Sequence, residues 1–270
     1  LRLAVRDGRF CCAFQPKLDI RTQEVIGVEA LIRLRDEDGV IQAPSEFIGL
    51  AIELGLIDDL TRLALGEIVR SMDLLDEAFG PQATISINVA ARQAGDAKFM
   101  AAFCEELSAT NYAGRFMVEV TEDAFLAKSP FQSHVLPMLR EIGTRVSIDD
   151  FGTGYSSLAT LADITADEIK IDRSFITDIH RRPRSQSILK AIEALGDALG
   201  MTVIAEGVET FEEVAYLQAA TRIRFAQGYY FAKPVFLEEL APARRVVGAS
   251  RSGANSRYRP PLRGQRMTPT

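Results

Sequence analysis

The chain has 270 residues, 47% hydrophobic and 25% charged, with 19 Gly, 11 Pro and 3 Cys, which supplies ample apolar material for one large domain or two small ones. That balance excludes a disordered polymer, a collagen-like repeat and a disulfide scaffold, and no apolar run approaches the roughly 18 to 20 residues of a membrane span. The net charge of −6 is uneven: seven arginines and no acid follow Glu239, so the body carries −13 and offers no basic stripe to a nucleic-acid polymer.

Leu1 to Phe10 carries Arg2, Arg6, Asp7 and Arg9, so no secretory signal is visible, and because the first residue is not Met a longer parent chain is expected. Strand-like runs follow at Phe10 to Leu18 and Val25 to Leu34, joined only by Asp19 to Glu24. That link is too short for a parallel crossover, so this pair is predicted to be antiparallel. Six further runs lie at Thr84 to Val89, Phe116 to Thr121, Arg145 to Asp149, Glu168 to Ile171, Thr202 to Ala205 and Phe225 to Phe231. Helical patterns separate them; one is Gln186 to Leu199, with Ile188, Ile192, Leu195 and Leu199 on one face. Eight strands in this alternation predict an α/β fold, a TIM-type (β/α)8 barrel with one antiparallel strand near the N-terminus. From about Ala243 the chain turns rich in Arg, Gly, Ser and Pro, which reads as a flexible extension, with a basic docking arm as the alternative. Cys11, Cys12 and Cys104 have no metal-like spacing and read as small buried hydrophobes in a reducing compartment. His134 and His180, in polar surroundings, read as surface residues.

The polar residues cluster at strand ends. Asn88 ends Thr84 to Ile87, and Glu119 ends Phe116 to Val118 with Glu122 one turn onward. Asp149 and Asp150 end Val146 to Ile148, and Glu206 ends Thr202 to Ala205 with Glu209 just beyond. Lys170 lies inside Ile169 to Ile171, Gln227 follows Phe225 and Ala226, and Glu29 interrupts Val25 to Ile32. In a parallel barrel these carboxyl ends converge on the face that carries the chemistry. A single acid there is an ordinary cap or turn. Four or five converging carboxylates repel one another and call for cations. The cluster has no His or Cys, which disfavours zinc and favours Mg²⁺ or Mn²⁺. Asp149-Asp150 suits two ions, one carboxylate bridging both and its neighbour holding one, an arrangement that activates water in phosphodiester cleavage. Lys170 could guide that water or neutralise a phosphate; a simple partner for a nearby carboxylate is the alternative. Phe151 to Ser157, with two glycines, reads as a mobile loop beside the site. No nucleophile elbow, Gly-Lys-Ser/Thr phosphate loop or dinucleotide fingerprint occurs.

Glu29-Ala30-Leu31-Ile32-Arg33 resembles the signature of the EAL-domain family of cyclic di-GMP phosphodiesterases. The resemblance extends through Phe14-Gln15-Pro16, Ile87-Asn88-Val89, Glu119-Val120-Thr121-Glu122 and Asp149 to Leu158, then Ile169-Lys170-Ile171-Asp172, Ala205 to Glu209 and Gln227-Gly228-Tyr229. It implies an EAL domain over residues 1–242 and an Arg-rich tail over 243–270. It also implies metal-dependent hydrolysis of cyclic di-GMP to linear pGpG with two Mg²⁺ or Mn²⁺ ions. By motif position, Glu29, Asn88, Glu119 and Asp149 would hold one ion, and Asp149, Asp150 and Glu206 the other. Lys170 would position or deprotonate the attacking water. Gln15, Leu31, Arg33, Asn88 and Gln227 would bind substrate, Arg33 as a phosphate contact. Glu122 would anchor the loop after Asp149, and Glu209 would support the site. The resemblance further implies a homodimer, an upstream sensor or signalling domain, and a cytoplasmic catalytic face on a full-length protein that could be membrane-tethered.

Leu34, Gly49, Ile52, Ala90 and Arg224 depart from the common family pattern, Arg224 by reversing a charge near the Gln227 strand. The competing functions are a non-hydrolysing cyclic di-GMP receptor and a surface scaffold. Either would be expected to have lost Glu29, Asp149 or Lys170, and all are present. Diguanylate cyclase activity has no support, because no Gly-Gly-Asp/Glu-Glu-Phe segment occurs.

Overall fold

The computed structural model describes residues 1–125, 131–154 and 165–240. The tail expected from 243, residues 155–157 of the glycine-containing loop, and position 158 of the resembling segment lie outside the described residues.

Eight strands close into a barrel: β1 (Phe10–Asp19), β2 (Val25–Arg35), β4 (Thr84–Asn88), β5 (Phe116–Thr121), β6 (Arg145–Phe151), β7 (Glu168–Ile171), β8 (Thr202–Ala205) and β9 (Phe225–Ala226). From β2 to β9 each strand pairs in parallel with the next. β1 closes the ring and runs antiparallel to both β2 and β9, with Gln15 opposite Glu29 and Leu18 opposite Ala226. The turn over 20–24 gives no room for a crossover helix, so the second strand can only return alongside the first. Two short strands, β3 (Ile41–Gln42) and β10 (Val235–Phe236), extend the edges at β2 and β1.

Alternation along each strand sorts side chains to two faces. Outward residues such as Ile85, Val118, Ile148 and Ile169 are buried in the main apolar core, which includes Phe103, Leu139 and Leu189 from the surrounding helices. Inward positions carry the buried polar residues Lys17, Glu29, Ser86, Glu119, Ser147, Glu168 and Lys170, with the apolar Met117 and Ile204 among them, and this is where the site lies. A smaller apolar cluster joins Ala4 of the N-terminal helix to Leu34, Phe47, Ala51, Leu56 and Leu60. Leu34 thus serves packing.

Three expectations are corrected. The helix expected from Gln186 begins at Pro183, as proline's fixed φ and missing N–H favour at a first turn. Its buried stripe is Ser185, Leu189, Ile192, Glu193 and Gly196, while Ile188 is 41% exposed. The strand expected over Phe225 to Phe231 stops at Ala226, because the chain turns in toward Val208. Val208 N–H donates to the Gln227 carbonyl at 3.2 Å, Tyr230 N–H donates to the Val208 carbonyl at 3.0 Å, and a side chain at Gly228 would collide with the Val208 backbone. His180, expected at the surface, has both ring nitrogens shielded and without hydrogen-bond partners among the described residues; His134 is exposed. Among the described residues no helix is long and apolar enough to cross a membrane.

Candidate active site

Lys170 is the hub of the upper polar layer. It is 1% exposed, and its Nζ lies 2.6 Å from Glu119 Oε2, 2.8 Å from Glu206 Oε1, 2.9 Å from Asp149 Oδ1 and 3.3 Å from Glu29 Oε2. These carboxylates come from β5, the end of β8, β6 and β2, so the barrel's curvature brings together residues up to 177 positions apart. Glu29 is held on both oxygens: Asn88 Nδ2 donates to Oε1 at 2.8 Å and Gln227 Nε2 to Oε2 at 2.8 Å. Gln227 also donates to Gln15 Oε1 at 3.2 Å, and Gln15 donates to the Ala232 carbonyl at 3.2 Å. Beside Lys170, then, the alternative role as carboxylate partner is what the contacts display.

Asp149 and Asp150 are consecutive, so a regular strand would aim them at opposite faces. β6 avoids this with an irregularity: its register against β7 shifts between Ile148 and Phe151, and Asp150 adopts a left-handed φ of 52°. Asp is among the few residues that tolerate this region. The result is that Asp149, Asp150 and Glu206 each offer a carboxylate oxygen within 4.8 Å of the others. The bulge is in turn braced by Glu122, whose Oε2 accepts from the Gly152 and Gly154 amides at 3.3 Å each. Gly152 is required there, because φ is +98° and an added Cβ would lie 2.8 Å from the Phe175 ring.

Electrostatics follow from this crowding. Desolvation pulls the Lys170 ammonium down, but Asp149, Glu119, Glu206 and Glu29 together outweigh it and hold its pKa well above the usual lysine value. Burial also opposes ionisation of Glu119, yet Lys17 and Lys170 dominate and lower it to about 2. Glu29, Glu206 and Asp150 go the other way. Desolvation first, then the neighbouring carboxylates, push each of them up.

This donor set fits divalent cations. It is built of oxygens alone, as hard ions prefer. The buried Asp149 Oδ1 lies near Lys170 Nζ but receives no well-directed hydrogen bond among the described residues, and neither does Gln227 Oε1. Carboxylates pushed up by mutual repulsion are relieved by a cation. Beside the cluster a cavity of about 460 Å³ opens between β2, β4 and the helices Pro44–Glu53 and Ile57–Arg70, lined by Glu29, Asn88 and Asp149 at one end and by Leu31, Ile48, Ile57, Leu60 and Val89 beyond. Its size and apolar walls suit a small organic ligand.

Of the residues expected at the site, Lys170, Glu29, Asn88, Glu119, Asp149, Glu206, Gln15 and Gln227 form one contact network, with Asp150 and Glu122 adjoining it. Leu31 lies in the cavity wall, and Arg33, half-buried two residues on, donates to the Ile32 carbonyl at 2.9 Å. Glu209 is not drawn in: its side chain is exposed, and its backbone N–H donates to Glu213 Oε2 at 2.8 Å. Arg224 pairs with the buried Asp19 at the end of β1, so the reversed charge has a partner at the far end of β9 from Gln227. Ala90 and Ile52 contribute backbone groups, the former's N–H to Gln93 Oε1 at 3.1 Å and the latter's carbonyl to Arg92 at 3.0 Å. Two interior residues escaped the sequence reading, Lys17 and Glu168. Alternation could have found them, since Lys17 shares a face with Gln15 and Glu168 with Lys170.

Known proteins share this arrangement of chain. The EAL domain family model matches residues 1–234. The cyclic di-GMP phosphodiesterase NbdA of Pseudomonas aeruginosa is 38% identical over 253 residues, 92% of this chain and 32% of the relative. The cyclic di-GMP phosphodiesterase PdeR of Escherichia coli is 37% identical over 236 residues, 87% of this chain and 35% of the relative. The chain therefore spans about a third of the length of these curated relatives. The solved PaMucR phosphodiesterase in complex with c-di-GMP superposes with a TM-score of 0.81 at 32% identity, covering 88% of this chain and 97% of that one. With the match running from the first residue through the last barrel strand, and with the barrel itself reproduced, the chain belongs to the EAL domain family.

Proposed function

We propose that this chain hydrolyses one phosphodiester bond of cyclic di-GMP to give linear pGpG, with two divalent ions, Mg²⁺ or Mn²⁺, held at the barrel rim. The observation that carries the reading is the convergence of Asp149, Asp150 and Glu206 around one point, beside a buried lysine shared by four carboxylates. The names of the relatives support the substrate and the hydrolase class.

In this reading Glu29, Asn88, Glu119 and Asp149 would hold one ion, and Asp149, Asp150 and Glu206 the other. The ions supply an activated water and offset charge on the phosphate. The protein's groups do the rest. Lys170, whose ammonium group lies among Glu119, Glu206, Asp149 and Glu29, would orient the attacking water and stabilise charge developing on the phosphate. Deprotonation of that water by Lys170 is the other role implied by the resemblance. Gln227 and Gln15 form a neutral wall of amide groups behind Glu29 and orient substrate. Leu31 and the apolar cavity take part of the organic portion, and Arg33 meets a phosphate. Glu122 fixes the Gly152 and Gly154 amides and so the bulge that aims Asp149 and Asp150. Residues 1–242 form the catalytic domain. Homodimerisation, input from an upstream signalling domain and a cytoplasmic catalytic face complete the proposal.

The test is turnover by the purified chain with Mg²⁺, Mn²⁺ or EDTA, followed by chromatography of cyclic di-GMP and pGpG. Product that requires the ion and vanishes in Glu29→Ala supports the proposal. Tight binding of cyclic di-GMP without product in either ion overturns it in favour of a receptor.

A further inference from the structure

Lys17 is the second lysine of the barrel interior, and the reading above gives it no task. It is 1% exposed and sits on β1 one inward position below Gln15. Its Nζ lies 2.7 Å from Glu119 Oε1, 2.7 Å from Glu168 Oε1 and 2.9 Å from Ser86 Oγ. Three acceptors thus meet the three N–H donors of one ammonium group. Ser147 Oγ donates to the same Glu168 oxygen at 2.9 Å. Among these partners Glu119 is the one that also touches Lys170, through its other oxygen at 2.6 Å.

We propose that Lys17 is a positioning residue for the cation site: it holds Glu119 Oε1 from beneath, so that Glu119 presents Oε2 alone to a divalent cation. This deepens the proposed function and rests on it. A carboxylate with both oxygens free turns easily about its last torsion and can bind through one oxygen or two. A buried ammonium at 2.7 Å takes one oxygen and fixes that torsion. Lys170 cannot do the same, because it contacts the oxygen that a cation would use and is shared with Asp149, Glu206 and Glu29. Glu168 balances the charge of Lys17, so the pair orients Glu119 without adding net positive charge beneath the site.

The experiment compares Mn²⁺ affinity, by titration calorimetry and by electron paramagnetic resonance of free Mn²⁺, for the metal-free wild type, Glu168→Gln and Lys17→Met/Glu168→Gln. Charge alone makes Glu168→Gln the weaker binder, because it removes a negative charge, and the double variant equal to it or tighter, because the charge is restored. Positioning predicts the reverse order, with the double variant about tenfold weaker than Glu168→Gln, as loss of a ligand's supporting partner typically costs. Melting curves in EDTA establish that each variant is folded. Should the Met double variant not fold, Lys17→Gln/Glu168→Gln, with a shorter amide in place of the apolar end, is judged by the same order. A double variant that binds as tightly as Glu168→Gln overturns the proposal. Predicted order without cyclic di-GMP cleavage by the wild type overturns the function and leaves the positioning role standing; a wild type that binds no Mn²⁺ overturns both.

Discussion

Replacing Lys170 with Met is expected to destabilise the protein strongly while divalent ions are withheld and far less when they are supplied. Four carboxylates lie within 3.3 Å of Lys170 Nζ, in a position 1% exposed, so the lysine is their common counter-ion. Removing one partner of a buried ionic group costs about 3 to 5 kcal/mol, which for a domain of this size is a fall in Tm of about 6 to 20 °C. In the proposed site Mn²⁺ would bind the same oxygens in the native state and not in the unfolded chain, so saturating ion would restore most of that loss by mass action. The assay is differential scanning calorimetry of wild type and Lys170→Met, each in EDTA and in excess Mn²⁺, with cyclic di-GMP turnover measured on the Mn²⁺ samples. The variant should recover Tm in Mn²⁺ while turnover stays abolished, since the ions replace the lysine's charge and not its proton donors. An equal fall in Tm with and without Mn²⁺ refutes the reasoning, because Lys170 would then be a packing element and the carboxylates no cation site.

Asp150→Asn should weaken Mn²⁺ binding by at least about tenfold, or about 1.4 kcal/mol, while calorimetry shows Tm in EDTA unchanged or raised, because Asn also tolerates the left-handed backbone at φ 52°. Gly152→Ala should lower Tm by several degrees, since about 1 to 3 kcal/mol attaches to a side chain at positive φ and the new Cβ meets the Phe175 ring at 2.8 Å; unchanged Tm and turnover would show that the loop accommodates it. The pH dependence has a definite sign. Glu29, Glu206 and Asp150 have raised pKa values in the folded, ion-free state, so that state holds protons the unfolded chain has released, and stability falls as pH rises above the ordinary carboxylate value of 4.5 for Glu. Glu119 acts oppositely, its contribution complete above that value and lost only as pH falls toward about 2. Tm in EDTA should therefore decline as pH rises above the ordinary carboxylate range, and the gain on adding Mn²⁺ should grow as it does; a flat difference between the two series would remove the proton competition.

The barrel was legible because its signals are local. Strand runs and helical repeats alternate, and the short link over 20–24 dictates the reversed strand before any contact is known. Most of the site was legible for a related reason: a polar residue ending an apolar strand has one rim to occupy. What stayed hidden depends on distant partners. The Asp149-Asp150 bulge is braced by Glu122 and by Gly152 against Phe175, none of which alternation can weigh. Arg224 finds Asp19 205 positions away, and Glu193, in the helix Pro183–Leu199, is buried because it accepts from the Arg222 amide and guanidinium. Alternation puts Lys17 on the face of Gln15 and Glu168 on that of Lys170, but only closure of the ring places the two 2.7 Å apart.

The formal charge of the interior ties these observations together. Glu29, Glu119, Asp149, Asp150, Glu168 and Glu206 bring six negative charges, and Lys17 and Lys170 bring two positive ones. Asp150 is exposed at the rim, but the other five carboxylates are buried or partly buried, where repulsion between unit charges is stronger than in water, so a deficit of four is costly. Protons can offset it, and Glu29, Glu206 and Asp150, raised first by desolvation and then by the neighbouring carboxylates, are where they would sit. Two divalent ions, as proposed, would match it with no proton retained. The lower layer does not share in this exchange, because Lys17 and Glu168 cancel each other beneath Glu119. Cation binding and proton release are then one equilibrium seated in the upper layer, and calorimetry of Mn²⁺ binding in buffers of different ionisation enthalpy should report protons released per ion bound. Release should diminish in Glu206→Gln, whose amide holds no proton to give up; release unchanged in that variant would place the protons elsewhere and detach the charge argument from the site.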